Sequence, residues 1–255
     1  MKKFAVDSFV LIAAVAAALS LTPARGLGQS AQGQSGARPD FSGFWSAPRQ
    51  AGAKYGGATV FMKDKMAAFK PGGEALFLEP RTGDPYHDEP RAFCFPSGFP
   101  SAFFAPYPIQ MVQSRDYLVM VGEFQRATRL IPLDGRAHNP DIEPTYYGDS
   151  VGHWDGDTLV IDSTNFKRWS LDDYYYVNPK EYRMHSEAFH TIERLRRKDA
   201  TTISYQLTVD DPKIFTAPWT EEFEMKLHPE WGKVGIYEFV CEENNRCPGG
   251  KCVAP

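Results

Sequence analysis

Long hydrophobic runs are scarce in this 255-residue chain. The one that stands out, FVLIAAVAAALSL at residues 9–21, has 13 residues, whereas a transmembrane helix needs about 20. No membrane span is therefore expected. Long basic runs are missing too. The 28 Lys and Arg against 32 Asp and Glu leave a net charge of −4, a poor match for nucleic acid as a partner. No strand-to-helix nucleophile elbow, P-loop or dinucleotide fingerprint is expected, which removes the local signatures of three large enzyme classes. There is no C-x-x-C pair, so neither a metal ion nor an organic cofactor is indicated. Helical periodicity is nearly absent after Pro71.

What is present starts with a leader-like N-terminus. Lys2 and Lys3 precede the short apolar run, and Pro23 and small residues follow it, the pattern of a secretory signal. Residues 1–29 are expected to be the signal peptide, cut near Gly28 or Gln29. Residues 30–39 then form a polar, Gly-rich flexible lead-in, and 40–255 a single domain. Removing three basic residues and one acid with the leader takes the net charge to about −6. No Cys follows the apolar run before Cys94, so no lipid anchor is expected. The protein should be periplasmic or secreted, and the four cysteines, Cys94, Cys241, Cys247 and Cys252, fit an oxidising compartment. Four cysteines allow three pairings. Cys94–Cys241 with a local Cys247–Cys252 closing CPGGKC is preferred.

The remaining pattern is β-rich. FSGFWSAP reads as a first strand and TVFMKDKMAAFKP as one short helix ending before Pro71. Residues 72–108 are dense in Pro, Gly and aromatics, which suits a long ordered loop because Pro cannot donate to a ladder. Then follow IQMVQS, DYLVMVGEF, ATRLIPL, VGHW and DTLVIDSTNF, the last two joined at Asp155-Gly156, a strong hairpin signal. FHTIERLRR turns into TISYQLTV, and EEFEMKL is expected to pair with GIYEFVCEE around HPEWGK. Nine or ten strands with short turns predict an all-β fold, an antiparallel meander closed into a lipocalin-like barrel, with an open sandwich as the alternative.

Strand alternation assigns faces to the polar groups. Glu123 lies with Tyr117, Val119 and Val121. Glu193 lies with Thr191 and Leu195, while His190 takes the opposite face. The H-x-x-E spacing of His190 and Glu193 is thus no shared metal site. A carboxylate directed into an apolar barrel needs a partner, and Arg129 in the neighbouring strand is the natural one for Glu123. The competing reading makes Glu123 and Glu193 ordinary ion pairs, with Arg129, Arg126 or Arg194, on a solvated face. Glu123, Arg129, His138, His190 and Glu193 are the candidate catalytic groups. Arg136, Tyr117, Asn165, Tyr175 and Trp219 are the candidate ligand contacts. Asp162 and Asn165 leave their hairpin on opposite faces, and His153 should face water.

The motifs DGRAH, GDSVGHWDGDTLVIDSTNF, FHTIERLRRKDATTISYQLTVDDPKIFTAPWT and YEFVCEEN resemble a large family of exported bacterial proteins. The resemblance covers about residues 40–244 and implies a β-rich exported domain; it brings no established reaction. The tail CEENNRCPGGKC departs from the family pattern. Gly43-Phe44-Trp45 is also similar to the G-x-W opening of lipocalins. Three functions fit: a cofactor-independent acid–base enzyme, lyase or hydrolase, acting on a small aromatic molecule; a periplasmic carrier of such a molecule; or an envelope-associated structural domain with a filled interior. Fold cannot choose among them.

Overall fold

The computed structural model describes residues 38–47, 61, 63–88, 90–105, 107–172 and 178–241. The expected signal peptide (1–29), most of the expected lead-in (30–39), Tyr175, Cys247 and Cys252 lie outside these. In chain order the strands are β1 (Gly43–Ser46), β2 (Leu78–Pro80), β3 (Ile109–Gln113), β4 (Tyr117–Gly122), β5 (Thr128–Pro132) and β6 (Asp149–Asp155). They continue with β7 (Thr158–Thr164), β8 (Trp169–Ser170), β9 (Glu181–His185), β10 (His190–Arg197), β11 (Thr202–Asp210) and β12 (Trp219–Leu227). Nine of them form one sheet in the order β5-β4-β3-β1-β12-β11-β10-β7-β6. Each neighbouring pair is antiparallel.

The chain runs once around this sheet, and its two edges return to each other. The Gly135 N–H donates to the Gly152 carbonyl at 3.0 Å, joining the segment after β5 to β6. A side chain at Gly152 would put its Cβ 2.8 Å from Leu133 Cδ2 and 3.3 Å from the Pro132 carbonyl. Close approach of the edges therefore favours glycine at that position. The result is a nearly closed barrel, as the short-turn meander predicts.

Alternation decides what fills it. Ile203, Tyr205, Leu207 and Val209 on β11 are fully buried, and so are Leu159, Ile161 and Ser163 on β7 and Thr191, Glu193 and Leu195 on β10. Each buried aliphatic side chain is worth about 1.5–3 kcal/mol. The Pro- and aromatic-rich loop contributes from one end. Phe99 and a short helix (Ser101–Phe104) turn inward, with Phe99, Phe103 and Phe104 buried. Phe104 meets Tyr205 at 5.4 Å and Phe223 at 5.0 Å, ring centre to ring centre. These aromatic side chains from the loop join the buried core inside the barrel.

Outside the barrel, β2, β9 and β8 make a small second sheet. It is tied down by a buried ion pair in which Arg183 Nε donates to Asp172 Oδ1 at 3.1 Å. Asp172 also accepts from the Phe61 N–H at 2.9 Å. The disulfide Cys94–Cys241 forms as expected, closing a loop with a sequence separation of 147.

Three local expectations change. Residues 72–108, read as one long loop, hold a short helix (Gly73–Phe77), strand β2 and further helical turns. Among the described residues of TVFMKDKMAAFKP, Lys63–Lys65 makes a single 3-10 turn. Phe69 instead bridges Phe215, with Thr216 N–H to Ala68 O and Lys70 N–H to Ile214 O both at 2.9 Å. A distant partner supplies the backbone bonds that a local helix would have made. At the other end, residues 235–241 add no strand to the barrel. Both edges of β12 are already taken by β1 and β11, so the chain leaves through a 3-10 turn (Pro229–Lys233) and Gly235 at φ +78°.

Candidate functional site

Three polar clusters hold the candidate residues, and they lie on different surfaces. The first is inside the barrel. Arg129 Nη1 donates to Glu193 Oε2 at 3.0 Å, and Nη2 donates to Glu193 Oε1 at 2.5 Å. Nη2 also reaches Ser150 Oγ at 2.9 Å and Ser163 Oγ at 3.0 Å, and the Tyr205 hydroxyl donates to Glu193 Oε2. One guanidinium thus ties β5 to β6, β7 and β10 across the seam. Phe99 lies over it at 4.2 Å. Burial pulls the Arg129 guanidinium down, but the charge and hydrogen bonds of Glu193 outweigh this and hold it above its usual range. Burial, reinforced by Glu193, pushes the Tyr205 phenol well above its usual range. Glu193 does face inward and pairs with Arg129 through both Nη atoms beneath Phe99, while Arg129 Nε is buried without a hydrogen-bond partner among the described residues. Such a pair is costly to break and gives modest net stability.

The second cluster is on the outer wall. His138 Nδ1 lies 2.9 Å from Asp149 Oδ2, and its Nε2 lies 3.1 Å from Asp162 Oδ1. His190 Nε2 lies 2.9 Å from the same Asp162 oxygen. His138 and His190 are therefore brought together, while strand alternation sends His190 and Glu193 to opposite sides of the sheet. The hydrogen bond from His190 lowers the Asp162 carboxyl, and the reverse interaction raises His190.

The third is a cleft of about 670 Å³, within the usual range for small-molecule sites. Its floor is the outer face of β1 and β12, represented by Ser46 and Lys226. Tyr107, Pro108, Trp231, Val234 and Tyr237 line its walls. Glu123 lies here, outside the barrel, because β4 ends at Gly122 and the chain turns into a 3-10 segment (Phe124–Arg126). Its carboxylate accepts from the Tyr237 N–H at 3.2 Å; Arg129, its expected partner, is committed to Glu193. Tyr107, Val234 and Tyr237 are exposed large apolar residues. Phe124 contacts both Tyr107 at 5.1 Å and Phe239 at 5.8 Å, and the Cys94–Cys241 bond anchors the chain four residues beyond Tyr237.

Within the cleft, Ser46 Oγ lies 3.0 Å from His228 Nε2, and His228 Nδ1 lies 2.9 Å from Glu230 Oε1. The His228 ring stacks on Trp231 at 3.8 Å and 8°, and its backbone N–H is anchored on the Phe44 carbonyl at 2.8 Å. None of these three residues stood out in the sequence: Ser46 and His228 are 182 positions apart. The letters G-x-S-x-G do occur, as GDSVG at residues 148–152, contrary to the expectation of no such motif. They lie within and just before a strand, and Ser150 is buried against Arg129, so no nucleophile elbow is made.

The remaining candidates scatter. Arg136 is exposed and paired with Asp134 at 2.7 Å, with Tyr117 adding a hydrogen bond that helps raise the guanidinium. Asn165, at φ 59°, donates to the Ile142 carbonyl at 2.9 Å. Trp219 is buried against Phe61 and Phe215 at 5.3 and 5.7 Å. His153 faces water. Among the described residues, no helix is long and apolar enough to cross a membrane. No family model and no curated protein sequence matches the chain.

Proposed function

We propose that this protein is an exported β-barrel that holds a small aromatic molecule in the outer cleft. The observation that carries the reading is the convergence of Tyr107, Trp231, Val234 and Tyr237 on one concave site beside Glu123, Lys226 and His228. Aromatic side chains left in water around a cleft gain most by stacking on a flat apolar ligand. Acid–base chemistry inside the barrel has less support, because Arg129, Glu193 and Tyr205 are mutually paired beneath Phe99. Export is supported by the leader-like N-terminus, by the disulfide and by the resemblance to exported proteins.

The test is calorimetric titration of the mature protein with para-nitrophenol. Saturable binding is expected, weakened about tenfold or more in Trp231→Ala, a loss of about 1.4 kcal/mol. Absence of saturable binding up to millimolar ligand, or equal affinity in the variant, refutes the cleft as the site.

A further inference from the structure

We infer that Ser46, His228 and Glu230 form an acyl-transfer centre that hydrolyses aryl esters in this cleft, an activity that rests on the cleft being the ligand site. The geometry is that of a nucleophile, a base and an orienting carboxylate in one chain of hydrogen bonds. Ser46 Oγ is 3.0 Å from His228 Nε2, and Glu230 Oε1 is 2.9 Å from His228 Nδ1. With the ring proton on Nδ1 donated to Glu230, Nε2 carries the lone pair that accepts the Ser46 hydroxyl. Two contacts fix the ring plane, the Trp231 stack and the backbone bond from His228 to Phe44. The Glu230 side chain is 63% exposed, so water weakens its charge and its role is orientation. Glu230 is a positioning residue; Ser46 and His228 are the catalytic ones.

Lys226 lines the same cleft. Ser46 pairs with Lys226 across β1 and β12, so both side chains leave the outer face side by side, with Cβ atoms about 4.5–5.5 Å apart. Lys226 Nζ donates to Thr202 Oγ1 at 3.1 Å and to Glu224 Oε2 at 2.7 Å. Thr202 is the partner of Lys226 on β11, so these bonds hold the ammonium on the side of β12 away from Ser46.

The chemistry balances with water as co-reactant. Ser46 Oγ attacks the ester carbonyl carbon while its proton passes to His228 Nε2. The tetrahedral adduct collapses, the carbon–oxygen bond to the aryl group breaks, and His228 returns the proton to the departing phenoxide. Water then attacks the acyl-Ser46 ester with His228 again as base. The carboxylic acid is released and the Ser46 hydroxyl restored. The walls of Trp231, Tyr107 and Tyr237 select an aromatic leaving group.

The test uses the mature protein with para-nitrophenyl acetate and, separately, an aryl fluorophosphonate read by mass spectrometry. Expected are steady turnover and one phosphonyl adduct on the peptide containing Ser46. Ser46→Ala should lose about a thousandfold or more in kcat while still binding para-nitrophenol. Glu230→Gln should lower kcat about tenfold or more with KM unchanged, which a purely structural role would not do. No adduct on Ser46, or turnover in Ser46→Ala equal to the parent, overturns the inference. If para-nitrophenol binds but no ester turns over, hydrolysis fails and the cleft stands. If the phenol does not bind either, the cleft reading fails with it.

Discussion

Replacing Glu193 with Gln removes one charge and almost no volume from the middle of the barrel. Arg129 then keeps its buried position, 3% exposed, without the carboxylate that offsets its desolvation. Removing one member of a buried ion pair costs about 3–5 kcal/mol. At about 2–4 °C per kcal/mol for a domain of this size, the melting temperature should fall by roughly 6–20 °C. The Gln side chain retains a carbonyl for one of the two Arg129 bonds, which favours the lower half of that range. Arg129→Met should cost a similar amount, because it strands Glu193 and frees Ser150 and Ser163 from their shared donor. The double variant should cost well below the sum, with a coupling of about 2 kcal/mol or more. Urea unfolding followed by far-ultraviolet circular dichroism and Trp fluorescence, with the disulfide intact, measures all three. Hydrogen exchange in the Arg129→Met protein should rise first in β5 and β6, the edges that its side chain joins. A cost below about 1 kcal/mol for Glu193→Gln, or simple additivity in the double variant, would refute the assigned network.

Two further outcomes follow from buried groups. His185 stacks on Phe189 at 4.2 Å, with Nδ1 3.0 Å from the Ser186 carbonyl and Nε2 buried without a partner among the described residues. Burial holds its pKa down, from 6.5 to about 4. The unfolded chain therefore binds a proton that the folded one refuses between those values, and stability should fall as pH drops from about 6.5 to 4. The loss is about 3 kcal/mol, and a His185→Gln protein with the same pH slope in urea midpoint would disprove it. Changing Cys94 and Cys241 together to Ser should cost about 2–5 kcal/mol by freeing a long loop. It should also weaken para-nitrophenol binding, since the bond anchors the segment that carries Tyr237. Unaltered affinity in the doubly substituted protein would separate the disulfide from the site.

Much of the architecture was readable from local pattern. The alternation of TISYQLTV places Ile203, Tyr205, Leu207 and Val209 on one face, and the structure buries all four. Asp155-Gly156 turns β6 into β7 because that dipeptide tolerates a positive φ, and Gly156 sits at +62°. Glu193 was readable as inward-facing for the same period-two reason. The helix expected near Phe69 was not to be had, because the competing bonds come from residues 214–216, far along the chain. The last expected strand failed because strand propensity says nothing about which edges are already occupied.

By itself, then, the sequence determined an antiparallel β-rich chain, its turns, and the inward and outward faces of its strands. Those properties arise from neighbours a few positions apart. Tertiary structure alone decided that Arg129 meets Glu193 and not Glu123, that Phe99 and Phe103 fill the barrel, and that Ser46 meets His228. Each of those contacts joins residues tens to nearly two hundred positions apart. Closure of the sheet creates them, and no local periodicity encodes how a closed sheet aligns its distant strands.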